Sequence, residues 1–519
     1  MTILLNNRFF VLFFAPFLLG AITIFGFAPY NLTFLNFFTF STILFLILTV
    51  KKRTQTTYRK KKFFRHFFYL GSSFGFGFFL VGNYWISISL THDEMFKPLI
   101  PFALILIPLF LSVFFGLAIL IIGAFAEKSI SFILYFSIVF SIFEFLRGNI
   151  LTGFPWNLIS YTWSWSQESI QILSLIGAYS LSLISVTFFC IPFLFFQKKI
   201  IKKNILFLIF FMTLFIGNYF YGIMKLKMID LKFDKEINVK IVSPNFSLQD
   251  YSDKNEEFKI KRLIKISSPD KNKRTIFIWP EGIFYDSYLR DIKKYSVLFK
   301  DNFSDNHLII LGINNYDDEY KKRYFNSLVV LNNKLEIISL YNKVNLVPFG
   351  EFLPFEKTLS KFGLKKITPG YSSFSPGHRR EIIELGDLFN KKTILPLICY
   401  EIIYPGKIKK ANQNPDLVVN ISEDGWFGKS IGPHQHFTKA VYRSIEEGIF
   451  IARSANRGIS AFIDPNGNVV KSLNTRESGN IELNFPYFNQ STLFSNYGNK
   501  IFFLIILLYM FLTLIFKKK

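Results

Sequence analysis

Ile394-Leu-Pro-Leu-Ile-Cys399-Tyr-Glu-Ile-Ile-Tyr-Pro405 is an apolar, strand-like run that ends in a thiol and, two residues on, a carboxylate. Cys399 is one of two cysteines in 519 residues. The other, Cys190, lies within Ser185-Val-Thr-Phe-Phe-Cys-Ile-Pro-Phe193, a long apolar segment, and reads as a small buried hydrophobe. A free thiol with a pKa of about 8.5 is a poor nucleophile at neutral pH without help. The reading of this stretch therefore turns on which other groups reach the same strand edge.

Two do so on the pattern of the chain. Thr275-Ile-Phe-Ile-Trp-Pro-Glu281-Gly282 is an apolar run closed by proline, a carboxylate and glycine. A carboxylate directly after a buried strand sits at the C-terminal edge of a sheet, where α/β folds build sites; the plain alternative is a turn or N-cap acid. The run Leu335–Tyr341 continues into Asn342-Lys343-Val-Asn-Leu-Val-Pro-Phe-Gly-Glu351-Phe-Leu-Pro354, an apolar, proline-punctuated loop that would partly desolvate Lys343. The three groups have complementary chemistry. Cys399 is the nucleophile, Glu281 takes the thiol proton as general base and returns it to the leaving group, and Lys343 stabilises the oxyanion together with the backbone N–H of Tyr400. His434 and His436, in Pro433-His-Gln-His436, lack further ligands at metal spacing and read as helix-start residues. Neither a metal nor a cofactor is expected.

Around these motifs, residues 225–496 alternate apolar and charged positions as a water-soluble domain does. Strands are expected at Asn238–Ser243, Thr275–Trp279, His307–Asn314, Asp416–Asn420 and Phe450–Arg453. Hairpins are expected around Asn332-Asn333 and Asp464–Gly467, and helices within Asp253–Ile266 and Pro433–Gly448. Strands alternating with helices and closing in hairpins predict a layered α/β sandwich.

The remainder is different in kind. Half of the chain is hydrophobic, with 67 Phe, and the apolar residues collect in runs near the length of about 20 residues that a membrane-crossing helix needs. Eight spans are predicted: Phe9–Phe27, Leu32–Val50, Phe67–Leu90, Leu99–Phe125, Ile130–Leu146, Ile170–Phe196, Ile205–Gly222 and Ile501–Phe516. The expected domains are thus a seven-span membrane domain over residues 1–224, a soluble domain over 225–496, and a last span with a basic tail over 497–519. Basic stretches at Lys51–Arg65, Gln197–Lys203 and Lys517–Lys519 fall on one face only if both termini are cytoplasmic, which puts the soluble domain outside the cytoplasm. The net charge of +24 is accounted for by these flanks, and nucleic acid is not an expected partner. Gly71-Ser-Ser-Phe-Gly-Phe-Gly77 lies inside a span and is read as a close-packing surface. Phe154-Pro-Trp-Asn-Leu-Ile-Ser-Tyr-Thr-Trp-Ser-Trp165 is read as an interfacial loop.

Trp279-Pro-Glu281, Tyr341-Asn-Lys343 and Ile398-Cys399-Tyr-Glu401 resemble, in order and spacing, the Glu-Lys-Cys triad of the nitrilase (carbon–nitrogen hydrolase) superfamily. The Lys343–Pro354 loop, Asp424-Gly-Trp-Phe-Gly428, Pro433–His436 and Arg453-Ser-Ala-Asn-Arg-Gly458 are similar to the apolipoprotein N-acyltransferase family, over essentially the whole chain. That resemblance implies a nitrilase-like αββα sandwich set before the last span of a bacterial inner-membrane protein, with the sandwich in the periplasm. It implies transfer of an acyl chain from a phospholipid, typically phosphatidylethanolamine, through a Cys399 thioester to the α-amine of a diacylglyceryl apolipoprotein, the last step of lipoprotein maturation. Glu351 would then support Lys343, Tyr400 would contact the oxyanion, and Glu401 would order the site. The family often carries a tryptophan soon after the first strand of the domain; here the nearest aromatic is Tyr251, and that role is not carried over.

Two other readings share parts of this pattern. A membrane-anchored amidase or nitrilase would use the same triad with water as acceptor. A transporter or receptor would place ionisable groups along a path through the membrane, where Glu144 is the main candidate.

Overall fold

The computed structural model describes residues 5–55, 61–196, 202–228, 231–248, 255–317, 323–359, 361, 366, 373–410, 413–487 and 491–517. Tyr251, residues 56–60 and 197–201 of the two basic loops, and Lys518-Lys519 lie outside them. The chain forms two compact units, one made of Met1–Thr91, Lys97–Met228 and Tyr497–Lys519, the other of His92–Phe96 and Ile229–Asn496.

In the first unit, seven helices among the described residues are long and apolar enough to cross a membrane: Leu35–Arg53, Phe64–His92, Glu94–Ala124, Ile130–Asn149, Leu173–Phe195, Lys202–Lys227 and Lys500–Lys517. The predicted first span, Phe9–Phe27, contains a shorter apolar helix, Phe10–Gly26, which changes from a π-helix over Phe10–Phe14 to an α-helix over Ala15–Thr23 and a 3-10 turn over Ile24–Gly26. The glycine-rich stretch packs closely: a Cβ on Gly71 would lie 2.5 Å from the Phe115 carbonyl oxygen, and one on Gly77 would lie 2.0 Å from that of Phe17. The tryptophan-rich stretch is mostly buried within the protein, with Trp156, Tyr161 and Trp163 buried and only Trp165 exposed among its tryptophans. Glu144, the residue a transport path would use, instead meets this stretch's backbone: it accepts the Ile159 N–H (3.1 Å), and Arg147 beside it donates to the carbonyls of Phe154 (2.5 Å) and Asn157 (3.3 Å).

The second unit is built on two sheets. The first contains β1 (Lys232–Ser243), β2 (Arg274–Ile278), β3 (Phe284–Tyr288), β4 (His307–Asp317), β5 (Arg323–Leu331) and β6 (Ile337–Asn342). The second contains β7 (Ile383–Glu384), β8 (Thr393–Ile398), β9 (Leu417–Glu423), β10 (Ile451–Asn456), β11 (Ser460–Ile463) and β12 (Val469–Leu473), while β13 (Gly479–Tyr487) returns to the first. Their orders are β13-β1-β2-β4-β5-β6, with β3 added beside β4, and β12-β11-β10-β9-β8-β7. In each sheet the central strands are parallel: β1, β2 and β4 in one, β8, β9 and β10 in the other. β3, β7 and β13 were not foreseen. β13 pairs antiparallel along β1 and caps that edge.

The period of two decides which face meets which. Val239, Ile241, Ile276, Ile278, Ile310 and Leu328 from the first sheet share one core with Ile394, Ile398, Val419 and Ile421 from the second. The opposite face of the first sheet, with Phe277, Trp279, Ile309 and Val329, packs on α1 (Glu256–Ser267) through Ile260 and Leu263. α2 (Gly432–Glu447) has Pro433 in its first turn and ends at Gly448 in the left-handed region. Burying each large aliphatic side chain contributes about 1.5–3 kcal/mol, comparable with the ordering cost of about 1–2 kcal/mol per residue. This dry interface between the sheets therefore holds the C-terminal ends of β2, β8 and β9 in fixed relation.

Candidate active site

Cys399 follows the last residue of β8 and opens a 3-10 turn over Cys399–Ile403. Its φ of 48° places a β-carbon-bearing residue in the left-handed region, at a cost of about 1 kcal/mol or more. Glu401 holds it there. One carboxylate oxygen of Glu401 accepts the Ile398 N–H at 2.9 Å. The other accepts from Tyr341 Oη (2.7 Å), Val344 N (2.9 Å) and Asn345 N (3.1 Å), and Arg380 lies 2.9 Å away. A single buried carboxylate thus ties the nucleophile turn to the loop that follows Lys343. The thiol itself is half-buried.

Glu281 stands three residues past β2, on a turn completed by Gly282 at φ 78°. Its Cα fits only because β4 carries glycine opposite it: a Cβ on Gly312 would lie 2.8 Å from Glu281 Cα. Oε1 of Glu281 accepts from Asn326 Nδ2 at 2.6 Å, and Oε2 accepts from the Glu423 N–H at 3.1 Å. Lys343 Nζ lies 2.8 Å from Glu351 Oε1 and 3.5 Å from Glu281 Oε1. Asn326 Nδ2 also donates to Glu351 Oε1 at 2.7 Å, while Glu351 Oε2 accepts the Val347 N–H at 2.8 Å. Glu281, Lys343 and Glu351 are all buried.

These charges set one another's protonation. Burial pushes the Glu281 carboxyl above its ordinary range; Lys343 draws it back and Glu351 adds to the rise. Burial alone would lower the Lys343 ammonium, but Glu281, Glu351 and the thiol outweigh it and hold it well above normal. The Cys399 thiol is raised by burial and then by Glu281, against the opposing pull of Lys343. It therefore rests protonated, and attack requires a proton acceptor.

Behind the thiol lies a second buried network. Ser422 Oγ donates to Asp424 Oδ1 at 2.7 Å, and Arg453 Nη2 reaches both oxygens of Asp424 at 3.1 and 2.8 Å. His436 sits in the first turn of α2, as expected, with Nδ1 3.0 Å from Asp424 Oδ1. Burial, then Arg453, lowers its imidazole to about 4. Among the described residues no group of three or more His, Cys, Asp or Glu side chains is arranged to hold a metal ion.

Residues 19–191 match the Apolipoprotein N-acyltransferase N-terminal domain, and residues 300–484 match the Carbon-nitrogen hydrolase family. A protein named Apolipoprotein N-acyltransferase from Rickettsia typhi (strain ATCC VR-144 / Wilmington) is 34% identical over 513 residues, 96% of this chain and 98% of its own length. The chain belongs to the apolipoprotein N-acyltransferase family. Relatives of the same name from Rickettsia prowazekii (strain Madrid E) and Rhizobium leguminosarum bv. trifolii (strain WSM2304) are 34% and 30% identical, over 86% and 80% of this chain and 90% and 79% of theirs. Among solved structures, an amidase from Nesterenkonia sp. AN1 is similar over 49% of this chain and 93% of its own, at 14% identity and a TM-score of 0.34. With its apolar helices and bacterial relatives, this member of the family is a multi-pass bacterial membrane protein that carries a nitrilase-like domain.

The six site residues named from sequence are brought together as two connected clusters: Glu281, Lys343 and Glu351 in one, Cys399, Tyr400 and Glu401 in the other. Tyr400 is buried with its ring edge-on to Tyr404, centroids 5.5 Å apart. Asn326, Arg380, Ser422 and Glu423 were given no role by the sequence reading, and Arg453 figured there only at a strand end and within the Arg453–Gly458 motif. Asn326 had one usable signal, an amide in an otherwise apolar strand (Tyr324-Phe-Asn-Ser-Leu-Val-Val-Leu331). Glu281 lies outside the matched carbon–nitrogen hydrolase range and rests on its geometry.

Proposed function

We propose that this protein is an apolipoprotein N-acyltransferase working through a Glu281-Lys343-Cys399 triad by a two-step, ping-pong route. The observation that carries the reading is a buried Lys343 set between Glu281 (3.5 Å) and Glu351 (2.8 Å), with the part-buried Cys399 close enough for its thiol and these charges to act on one another. In the first step Glu281 accepts the Cys399 proton, and sulfur attacks an acyl ester carbonyl of a phospholipid, typically phosphatidylethanolamine. The tetrahedral oxyanion meets the Lys343 ammonium and the Tyr400 backbone N–H. Collapse breaks the C–O bond, the departing alkoxide takes the proton back from Glu281, and a lysophospholipid leaves. In the second step the α-amine of a diacylglyceryl apolipoprotein attacks the thioester and Glu281 takes its proton. The C–S bond breaks to give the amide, and the thiol is restored.

No ATP is needed, because the acyl C–O bond of the donor ester is exchanged first for the C–S bond of the thioester and then for the C–N bond of a stable amide, with no other bond hydrolysed. Both termini cytoplasmic and the catalytic unit in the periplasm of an inner membrane is the orientation that suits this chemistry; it rests on the basic loops. The test is intact-protein mass spectrometry of the detergent-purified protein with and without phosphatidylethanolamine. A fatty-acyl mass increase removed by neutral hydroxylamine, and absent from Cys399→Ala, supports the thioester. A Cys399→Ala protein that still N-acylates an apolipoprotein sinks it.

A further inference from the structure

Two part-buried arginines stand near the Glu423 turn behind Glu281, and neither has a task in the mechanism above. Arg457 occupies the turn between β10 and β11, and Arg476 the connection between β12 and β13. Two consecutive residues after β1 clip these turns side by side. The Phe246 N–H donates to Asn456 Oδ1 at 2.9 Å, and Asn245 Nδ2 donates to the Arg476 carbonyl at 2.6 Å. Asn245, Arg457 and Arg476 all have φ between 55° and 64°, so both turns are held in a backbone conformation that L side chains rarely adopt.

The link to the triad is short. A methyl group placed on Gly425 would lie 2.5 Å from Glu423 Oε1 and 3.5 Å from Arg457 Cδ, so this arginine and Glu423 flank the same glycine. The backbone N–H of Glu423 is the one donated to Glu281. The Glu423 carboxylate is already engaged by Gly425 N at 2.9 Å and by Asn456 Nδ2 at 2.8 Å. Among the described residues neither guanidinium makes a hydrogen bond or an ion pair. Their charges are felt nearby. Burial and then Arg457 lower Arg476. Like charges held together by clipped turns, with no ion pair to either among the described residues, are what a bound anion would stabilise. The guanidinium fork matches phosphate oxygens in two-point contacts.

We propose that Arg457 and Arg476 form a phosphate-recognition site near the Glu423 turn behind Glu281, filled in the working enzyme by the headgroup phosphodiester of the lipid acyl donor. The proposal rests on the acyl-transfer reading for its lipid, and the arginines do not touch the reacting atoms. They orient the donor so that its ester, not its headgroup, meets Cys399.

The experiment uses the full-length protein in detergent, with Arg457→Gln, Arg476→Gln, the double variant, and the corresponding lysine variants. Acylation of Cys399 is followed by mass spectrometry from phosphatidylethanolamine micelles and, as a reference without phosphate, from the p-nitrophenyl ester of the same fatty acid. Loss of two charge-assisted contacts should raise the apparent KM for the phospholipid at least tenfold in the double glutamine variant. The fall relative to the reference donor should be of the same size, and the lysine pair should recover part of it. Equal losses from both donors would make the arginines purely structural and overturn the proposal, as would no loss from either. Titration with glycerophosphoethanolamine and with inorganic phosphate separates the two sources. Weaker binding of the diester in the double variant supports the lipid assignment, whereas a variant-sensitive site for inorganic phosphate that ignores the diester overturns it. Should the unsubstituted protein form no thioester from either donor, the acyl-transfer reading fails by itself, and the diester titration still decides whether the arginines bind phosphate.

Discussion

Lys343 Nζ is closer to Glu351, at 2.8 Å, than to Glu281, at 3.5 Å. The lysine's charge is therefore compensated chiefly by Glu351, which leaves Glu281 the less tightly paired carboxylate and the one available as proton acceptor. Glu351 is itself held by the Val347 N–H and by Asn326, so the ammonium is aimed from the loop side of the site.

Neighbouring charge acts on the thiol with opposite signs at Glu281 and Lys343, and that can be read directly. A negative neighbour raises a thiol's pKa and a positive one lowers it. In the rate of Cys399 alkylation by iodoacetamide against pH, Glu281→Gln should move the inflection down and Lys343→Gln should move it up, each by about one unit or more. A shift of the same sign in both variants would contradict the arrangement. Acyl transfer should fall in both, by about 100- to 10,000-fold in Glu281→Gln, which loses the general base.

Asn326 donates one amide nitrogen to both Glu281 and Glu351. Asn326→Ala should lower the acylation rate about 10- to 100-fold, the loss expected for one or two hydrogen bonds to charged groups. Asn326→Asp should be worse, because a third carboxylate would push Glu281 further toward its protonated, inactive form. The check is single-turnover acylation as a function of pH. Activity in every form should vanish as pH falls through the pKa of Glu281, and the asparagine-to-aspartate variant should lose it at higher pH.

Glu401 is an anchor more than a participant. Its buried carboxylate is held below the ordinary range: burial opposes this, but Arg380 and the surrounding donors outweigh it. Glu401→Ala leaves Arg380 buried without its partner, so a stability loss of about 3–5 kcal/mol is expected. Arg380→Met with Glu401→Leu should recover much of that stability without recovering acylation, because the Cys399 turn stays uncapped. Thermal unfolding and acylation measured on the same preparations separate the two effects.

His436 makes the catalytic unit acid-sensitive. Its imidazole is lowered to about 4 by burial and Arg453, against about 6.5 in an unfolded chain. Between those values the unfolded state binds the proton and the folded state does not. Stability is therefore fully present above pH 6.5 and declines as pH falls toward 4, by roughly 3 kcal/mol. The melting midpoint of His436→Gln should fall less steeply over this window than that of the unsubstituted protein. An identical pH slope in the two would contradict this account.

The sequence by itself determined the division of labour. Runs of apolar residues must leave water, so seven long helices follow from composition. Alternating strands closed by Pro-Glu-Gly, Asn-Lys and Cys-Tyr-Glu mark the edge of a sheet because backbone polarity and side-chain period act locally. Local rules left the details open: Phe10–Gly26 is apolar as read but changes helix type along its length, and Phe154–Trp165 is aromatic and mostly buried, with Glu144 and Arg147 bonded to its backbone. Only the tertiary structure decided which polar groups answer one another. Asn326 faces Glu281 because β5 pairs with β4, and β4 with β2. Glu401 reaches Val344 and Asn345, and the two arginine turns meet across the end of β1, because the sheets stack on their apolar faces. A lone amide, carboxylate or arginine leaves no periodic trace in a sequence; its partner is set by strand register and sheet packing, which are properties of the folded chain as a whole.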